Sequence, residues 1–302
     1  MFRFNTRQKV FNISGVMVGG QPGEYPTVMI GSIFYQGEKI VEDEKNGVFN
    51  REKAEEYLKR EEEISEVTGN PRIVDVCIGW PQAIEKYVDF VADAVSGPFA
   101  IDGATEQVRV DAVRYAGEVG LSERVVYNSL TPQAKKEEVE ALKASGVKSA
   151  ILLAVNPRNL TVAGRLEVMD NLLSIASQAG IENTLIDVAV FDVPDPGAVG
   201  KTIYYVKERY GLPAGAGLHN AVERLRSRRK LTRDERIIAL TAANVIPISL
   251  GANFILYGPV ESAPVAYYGC ALADAYVAFN MRLEYRMRPA TQNHPLFKVF
   301  RT

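Results

Sequence analysis

Eight short apolar runs, each followed by a helix-like segment, constrain this chain more than any other feature of its sequence. They are Thr27–Phe34, Ile73–Ile78, Phe99–Asp102, Val125–Asn128, Ala150–Val155, Thr184–Val190, Pro213–Leu218 and Asn253–Tyr257. Runs apolar along most of their length suit a parallel sheet buried on both faces, not a half-solvated antiparallel one. Their starts lie 25 to 46 residues apart, which leaves room for a loop and a crossover helix in every interval. Helix punctuation falls in those intervals. Asn50 is placed to cap a helix over Asn50–Thr68 that closes on Gly69-Asn70-Pro71, and Thr131-Pro132 opens another that ends at Ser145-Gly146. The segments Thr161–Gly180 and Pro196–Gly211 each finish on glycine, the favoured residue just past a helix. A doubly wound sheet would alternate in the same way, but no Gly-x-Gly-x-x-Gly turn follows the first run. The run Gly19-Gly20-Gln21-Pro22-Gly23 lacks the Lys-Ser/Thr of a phosphate loop and reads as a turn. The expected fold is α/β, a single (β/α)8 TIM barrel.

Residues 1–26, with Val10–Ile13 and Val16–Val18 around Ser14-Gly15, read as a hairpin closing the bottom of a barrel that spans 27–285. The tail 286–302 is basic with late aromatics and is expected on the surface or against a neighbouring subunit, with His294 in solvent. The most apolar segment, Ile237–Leu250, reads as a buried helix; no run approaches the ~18–20 apolar residues a bilayer requires, so no membrane insertion is expected. With 35 Lys+Arg against 37 Asp+Glu the chain has no basic excess for nucleic acid. Cys77 and Cys270 are too few for a disulfide framework, and the first residues lack a signal-peptide pattern, so reduced thiols and a cytoplasmic location are expected. Two cysteines and two histidines, scattered, offer no zinc-ligand spacing; no metal of its own is expected, and Cys77 reads as a small buried hydrophobe.

In such a barrel, chemistry sits at the C-terminal ends of the strands. Those ends carry Asp75, Asp102, Asn128, Asn156, Asp187 and His219-Asn220, a ring of carboxylates and carboxamides with almost no fixed positive charge. Carboxylates only accept hydrogen bonds and carboxamides do both, so the fitting ligand is neutral, flat and rich in N–H donors; a pterin has that outline. The plainer alternative makes each residue an N-cap for the following helix. His219 is either a second polar group at the mouth or a barrel-top hydrogen-bonding residue. The stretch Glu223–Arg236 concentrates cations close behind Asn220, and Arg224, Arg228 and Arg229 are the candidates there for holding an acidic tail or an acidic protein, unless the stretch is only a solvated face. Glu38, Glu42, Asp43 and Glu44 lie on the loop after the first strand, in solvent or at a partner.

The runs GGQPGEYPTVMIGSIFYQGEKIVEDEKNGVFN, DVCIGWPQAI, FAIDGA, VVYNSL, AILLAVNP, LIDVAV and GLHNA, in that order, resemble the H-subunit family of tetrahydromethanopterin S-methyltransferase, which includes soluble methylcorrinoid:tetrahydrofolate methyltransferases. The resemblance covers nearly the whole chain. It implies a homodimeric, pterin-binding barrel that moves a methyl group between N5 of tetrahydrofolate and cobalamin carried by a separate corrinoid protein. It assigns Asp75, Asp102, Asn128 and Asp187 to the pterin ring and Asn220 to N5 as the catalytic carboxamide, with Asn156, His219 and Arg228 as secondary candidates. The alternatives are a tetrahydromethanopterin-specific H subunit of a membrane methyltransferase complex, or a noncatalytic pterin-binding module.

Overall fold

The structure is a computed structural model that describes residues 2–300. The eight runs form parallel strands: β1 Val28–Ile33, β2 Arg72–Ile78, β3 Phe99–Gly103, β4 Val125–Leu130, β5 Ser149–Leu153, β6 Asn183–Asp187, β7 Ala214–Ala216 and β8 Phe254–Pro259. They close into a barrel in sequence order, β8 pairing with β1 through Phe254–Val28 and Leu256–Ile30. Helices lie between successive strands and cover the outside, as the intervals require.

The two-residue period of the strands sorts their side chains into two buried layers. Outward residues such as Met29, Val74, Val76, Ile101, Tyr127, Leu152, Ile186 and Ile255 pack beneath the helices. Inward ones, Val28, Ile30, Ile73, Ala100, Val126, Ile151, Leu185, Phe254 and Leu256, fill the lumen. The lumen is therefore a packed core, and polar residues begin one step further along each strand. An antiparallel hairpin, Val10–Ile13 with Val16–Gly19, lies at the opposite end, and its Ile13 and Val18 belong to the lumen cluster. Ile13→Ala should cost about 3 kcal/mol by opening a cavity there, read as a lowered urea midpoint; a loss below about 1 kcal/mol would show that the lumen does not depend on the hairpin.

Local details depart from the sequence expectation in places. Asn50 does cap Arg51–Thr68, its side chain accepting from Lys53 N at 3.0 Å, and Gly69 ends that helix with φ +81°. Thr131-Pro132 forms a turn instead, and the helix starts only at Lys136. The segment 161–180 breaks at Val168 into Val162–Glu167 and Met169–Gln178. The helix Arg233–Ser249 is buried on one face only, through Leu240, Ala243, Asn244, Pro247 and Ile248, while Ile238 is exposed. His294, expected in solvent, is fully buried: it caps the short helix Pro295–Lys298, accepting from Leu296 N at 3.1 Å. That helix packs on the long helix Ala263–Tyr285 of the same chain; the last two residues of the tail lie outside the described ones. No helix among the described residues is long and apolar enough to cross a membrane.

Candidate functional site

A cavity of about 590 Å³ opens at the C-terminal ends of the strands. A larger depression, about 770 Å³, lies among Arg3–Gln8, Gln21, Glu24 and Tyr285, but no barrel-strand end reaches it. The strand-end cavity is the site.

Its floor follows from strand alternation. Ser32, Asp75, Cys77, Asp102, Asn128, Leu153 and Asp187 continue the inward-facing series of β1 to β6 and all line the cavity. Register sets Ser32 beside Asp75, Cys77 beside Asp102, and Asp102 beside Asn128. Asp75 is almost fully buried and accepts from Ser32 Oγ at 2.9 Å and Asn128 Nδ2 at 3.0 Å, with Cys77 Sγ at 3.9 Å. Asp102 has no hydrogen-bond partner among the described residues. Burial, then the charge of Asp75, pushes the Asp102 carboxyl up to about 8. Asp75 is raised too, by burial, but its donors favour the ionised form. Burial thus raises both carboxyls, and only at Asp75 do hydrogen-bond donors oppose the rise. Asp187 is raised by burial only to about 6, because Ala189 N donates to its Oδ1 at 2.8 Å and the Arg165 guanidinium attracts its charge. At neutral pH the floor therefore offers both an ionised and a protonated carboxyl.

Cys77, expected to be packed as a hydrophobe, instead faces the cavity. The alternation Ile73, Asp75, Cys77 is the signal that could have placed it. Asp75, Cys77 and Asp102 bring one ligand-type atom each within 4.8 Å of one another. Burial and the two carboxylates hold the thiol far above its ordinary range, and Asp75 already has its own donors, so this set is poorly disposed to bind a cation.

The opposite wall comes from the helix His219–Arg228 and from β8. His219 donates from Nδ1 to Leu256 O at 3.0 Å, and burial lowers its basicity, so the ring is neutral and held against the barrel. Gly258, at φ +90°, makes this possible, since a Cβ there would lie 2.9 Å from the imidazole. Asn220, in the first turn of the helix, is exposed, lines the cavity, and has no side-chain hydrogen bond among the described residues.

Two secondary candidates do not reach the cavity. Asn156 closes a turn, accepting from Arg158 N at 3.1 Å, and donates to Glu167 at 3.1 Å; it serves the loop after β5. Arg228 pairs with Asp192 at 2.8 Å and straps the helix end to the loop after β6, while Arg229 faces Glu235 at 3.6 Å. The arginines that do line the rim are Arg226 and Arg236, both bound to Glu223, and sequence reasoning missed them. Nothing in the run of cations distinguishes them before the packing of this helix on Arg233–Ser249 is known. Glu38, expected in solvent or at a partner, is buried and accepts from Phe34 N, with burial raising its carboxyl to about 8. Tyr35, from the same loop, lines the cavity and donates to Glu261 at 3.2 Å.

The family described as tetrahydromethanopterin S-methyltransferase MtrH subunit matches residues 6–287 of this chain. The chain is 40% identical to the H subunit of tetrahydromethanopterin S-methyltransferase from Methanothermobacter thermautotrophicus, covering 99% of this chain and 100% of that one. It is 39% identical to the protein of the same name from Methanopyrus kandleri, over 95% and 96%. It is 35% identical to the H subunit of the putative methyltransferase mtx from Methanosarcina barkeri, over 98% and 99%. Among solved structures it resembles dihydropteroate synthase of Xanthomonas albilineans in complex with 7,8-dihydropteroate, at TM-score 0.60 and 16% identity, covering 88% of this chain and 98% of that one. The Yersinia pestis dihydropteroate synthase with a pterine–sulfa conjugate gives TM-score 0.64 at 13% identity, over 89% and 98%. At those identities the likeness is one of fold. The relatives also correct one expectation. Proteins matched over their full length are named as H subunits, each a component of a larger enzyme, which overturns the free-standing homodimer serving a separate corrinoid protein. The chain, a TIM barrel, belongs to the MtrH family of tetrahydromethanopterin S-methyltransferase subunits.

Proposed function

We propose that this chain binds a tetrahydropterin in the strand-end cavity and acts in methyl transfer at its N5, as the H subunit of a tetrahydromethanopterin S-methyltransferase. The observation that carries the reading is the cavity floor: Asp102, Asn128 and Asp187 present acceptors and one carboxamide, with no cation among them, to a ligand whose flat edge is rich in N–H donors. Asp75 sits beneath and fixes Asn128 through the 3.0 Å hydrogen bond, so that the carboxamide meets the ring already oriented. Asn220, without a side-chain hydrogen bond among the described residues, reaches N5 from the opposite wall and donates to it as the bond to the methyl carbon breaks. Tetrahydromethanopterin is favoured over tetrahydrofolate because the relatives at 39–40% identity carry it in their names.

The methyl group's other station is a corrinoid in the resemblance. The residues here do not suit one: both imidazoles are committed, His219 to Leu256 O and His294 to a helix cap, and the cavity floor is acidic and amidic. We therefore place the corrinoid on another component of the enzyme. What this chain supplies is binding and orientation of the pterin, a dry floor and a donor at N5.

Binding should release protons. Asp102 is protonated below about 8, yet it accepts the stronger, charge-assisted hydrogen bonds from the ring, on both oxygens, only when ionised. Affinity should thus rise with pH from 6 towards 8, by up to about tenfold per unit, and flatten above. Calorimetry with tetrahydromethanopterin and with tetrahydrofolate, in two buffers of different ionisation enthalpy, tests both points. Tighter binding of tetrahydromethanopterin with proton release supports the reading. Affinity that is flat or falls as pH rises removes Asp102 as an acceptor, and absence of heat with either ligand sinks the pterin assignment.

A further inference from the structure

The helix His219–Arg228 directs one stripe at the cavity. Asn220, Glu223 and Arg226 follow one another at three-residue steps, and all three line it. At 1.5 Å of rise per residue the backbone of Arg226 lies about 9 Å beyond that of Asn220 along the helix. Arg236, from the next helix, joins it there: Glu223 accepts from Arg236 Nε at 3.1 Å and Nη2 at 2.8 Å, and from Arg226 Nη1 at 3.2 Å. Two guanidiniums share one carboxylate, so the rim is net cationic, with the remaining N–H groups of both arginines unspent among the described residues.

The cavity is therefore polarised. Its floor holds Asp75, Asp102 and Asp187; its rim holds Arg226 and Arg236. A neutral, donor-rich head is drawn to the floor, and an oxyanion is repelled from it and held at the rim. A volume of about 590 Å³ also leaves room for more than a bicyclic ring. We propose that Arg226 and Arg236 recognise the ionised tail of the tetrahydropterin, carboxylate or phosphate, and thereby set which way round the substrate lies, with Glu223 as the counter-ion that the tail partly displaces. This rests on the pterin reading of the floor and adds to it the residues that hold the substrate's tail and so fix its orientation in the cavity. Of the cations singled out from the sequence, Arg224 does not line the cavity, and Arg228 and Arg229 are bound to Asp192 and Glu235 away from it.

The test compares 6-methyltetrahydropterin, which has no tail, with tetrahydrofolate and tetrahydromethanopterin, whose tails are ionised, on the full chain. The double variant Arg226→Gln/Arg236→Gln should bind the tailed ligands at least about tenfold more weakly, as expected for lost charge-assisted hydrogen bonds, and with a flatter salt dependence. Its affinity for 6-methyltetrahydropterin should be unchanged. Glu223→Gln should act with opposite sign, tightening the tailed ligands, and Lys230→Gln, which removes a cation from the same stretch, should have no effect. Weakening confined to one tailed ligand identifies which oxyanion the rim is built for. Unchanged affinity for both tailed ligands in the double variant overturns the proposal, as does equal loss with and without a tail. If wild-type protein binds none of the three, the pterin reading itself has failed.

Discussion

Asp187→Ala should lower tetrahydropterin affinity by about a hundredfold while leaving the barrel intact. Asp187 is a floor carboxylate that is ionised at neutral pH, since its raised value, about 6, still lies below it. A hydrogen bond to a charged acceptor in a buried site contributes about 1.5–3 kcal/mol, and a ligand donor left facing a void loses more. Little native structure depends on the carboxylate: its one described hydrogen bond is from Ala189 N, so circular dichroism and the thermal midpoint should barely move. Titration calorimetry reads the effect. An affinity within about threefold of wild type would show that the ligand does not reach β6, and that Asp187 only orders the loop that follows it.

Asn220→Ala should leave binding within about tenfold and cut the rate of methyl transfer by about 100- to 1000-fold, the range seen when a single preorganised donor to a reacting atom is removed. The difference from Asp187 is one of timing. N5 gains electron density as the methyl carbon departs, so a donor there is worth more in the transition state than in the ground state. The side chain is solvent-exposed and carries no structural hydrogen bond among the described residues, so truncation should not unfold the helix. Single-turnover demethylation of the methylated pterin, alongside calorimetry on the same preparation, separates the two quantities. Equal loss in binding and rate would make Asn220 a ring-binding group, with no special relation to N5.

The barrel could be read from the sequence because its strands are buried on both faces and so leave continuous apolar runs; even Ala214–Ala216, three residues long, was marked by its Pro-Ala-Gly-Ala-Gly setting. The floor was legible for a related reason. A carboxylate or carboxamide at the inward phase of such a run has little to do in a core, and Asp75, Asp102, Asn128 and Asp187 all stand at that phase. Asn156 looked alike on paper, but it falls three residues past the end of β5, where the chain has left the strand and side chains turn to local loop bonds. The rim was not legible. Which of seven cations between 224 and 236 faces the cavity is decided by how two helices pack on each other, which the run of cations does not reveal. His294 was misjudged because a basic tail suggests solvent, whereas its imidazole takes the place of a capping side chain.

The hairpin that seals the lumen has a kinetic consequence. Because Ile13 and Val18 stop the barrel at one end and the apolar lumen fills what lies above them, the cavity is a blind cup with a single doorway. In the reaction proposed above, whatever accepts the methyl group would approach through the doorway by which the pterin leaves. A docked acceptor would then also be a stopper: pterin would have to be seated before docking, and the spent pterin would be held until undocking.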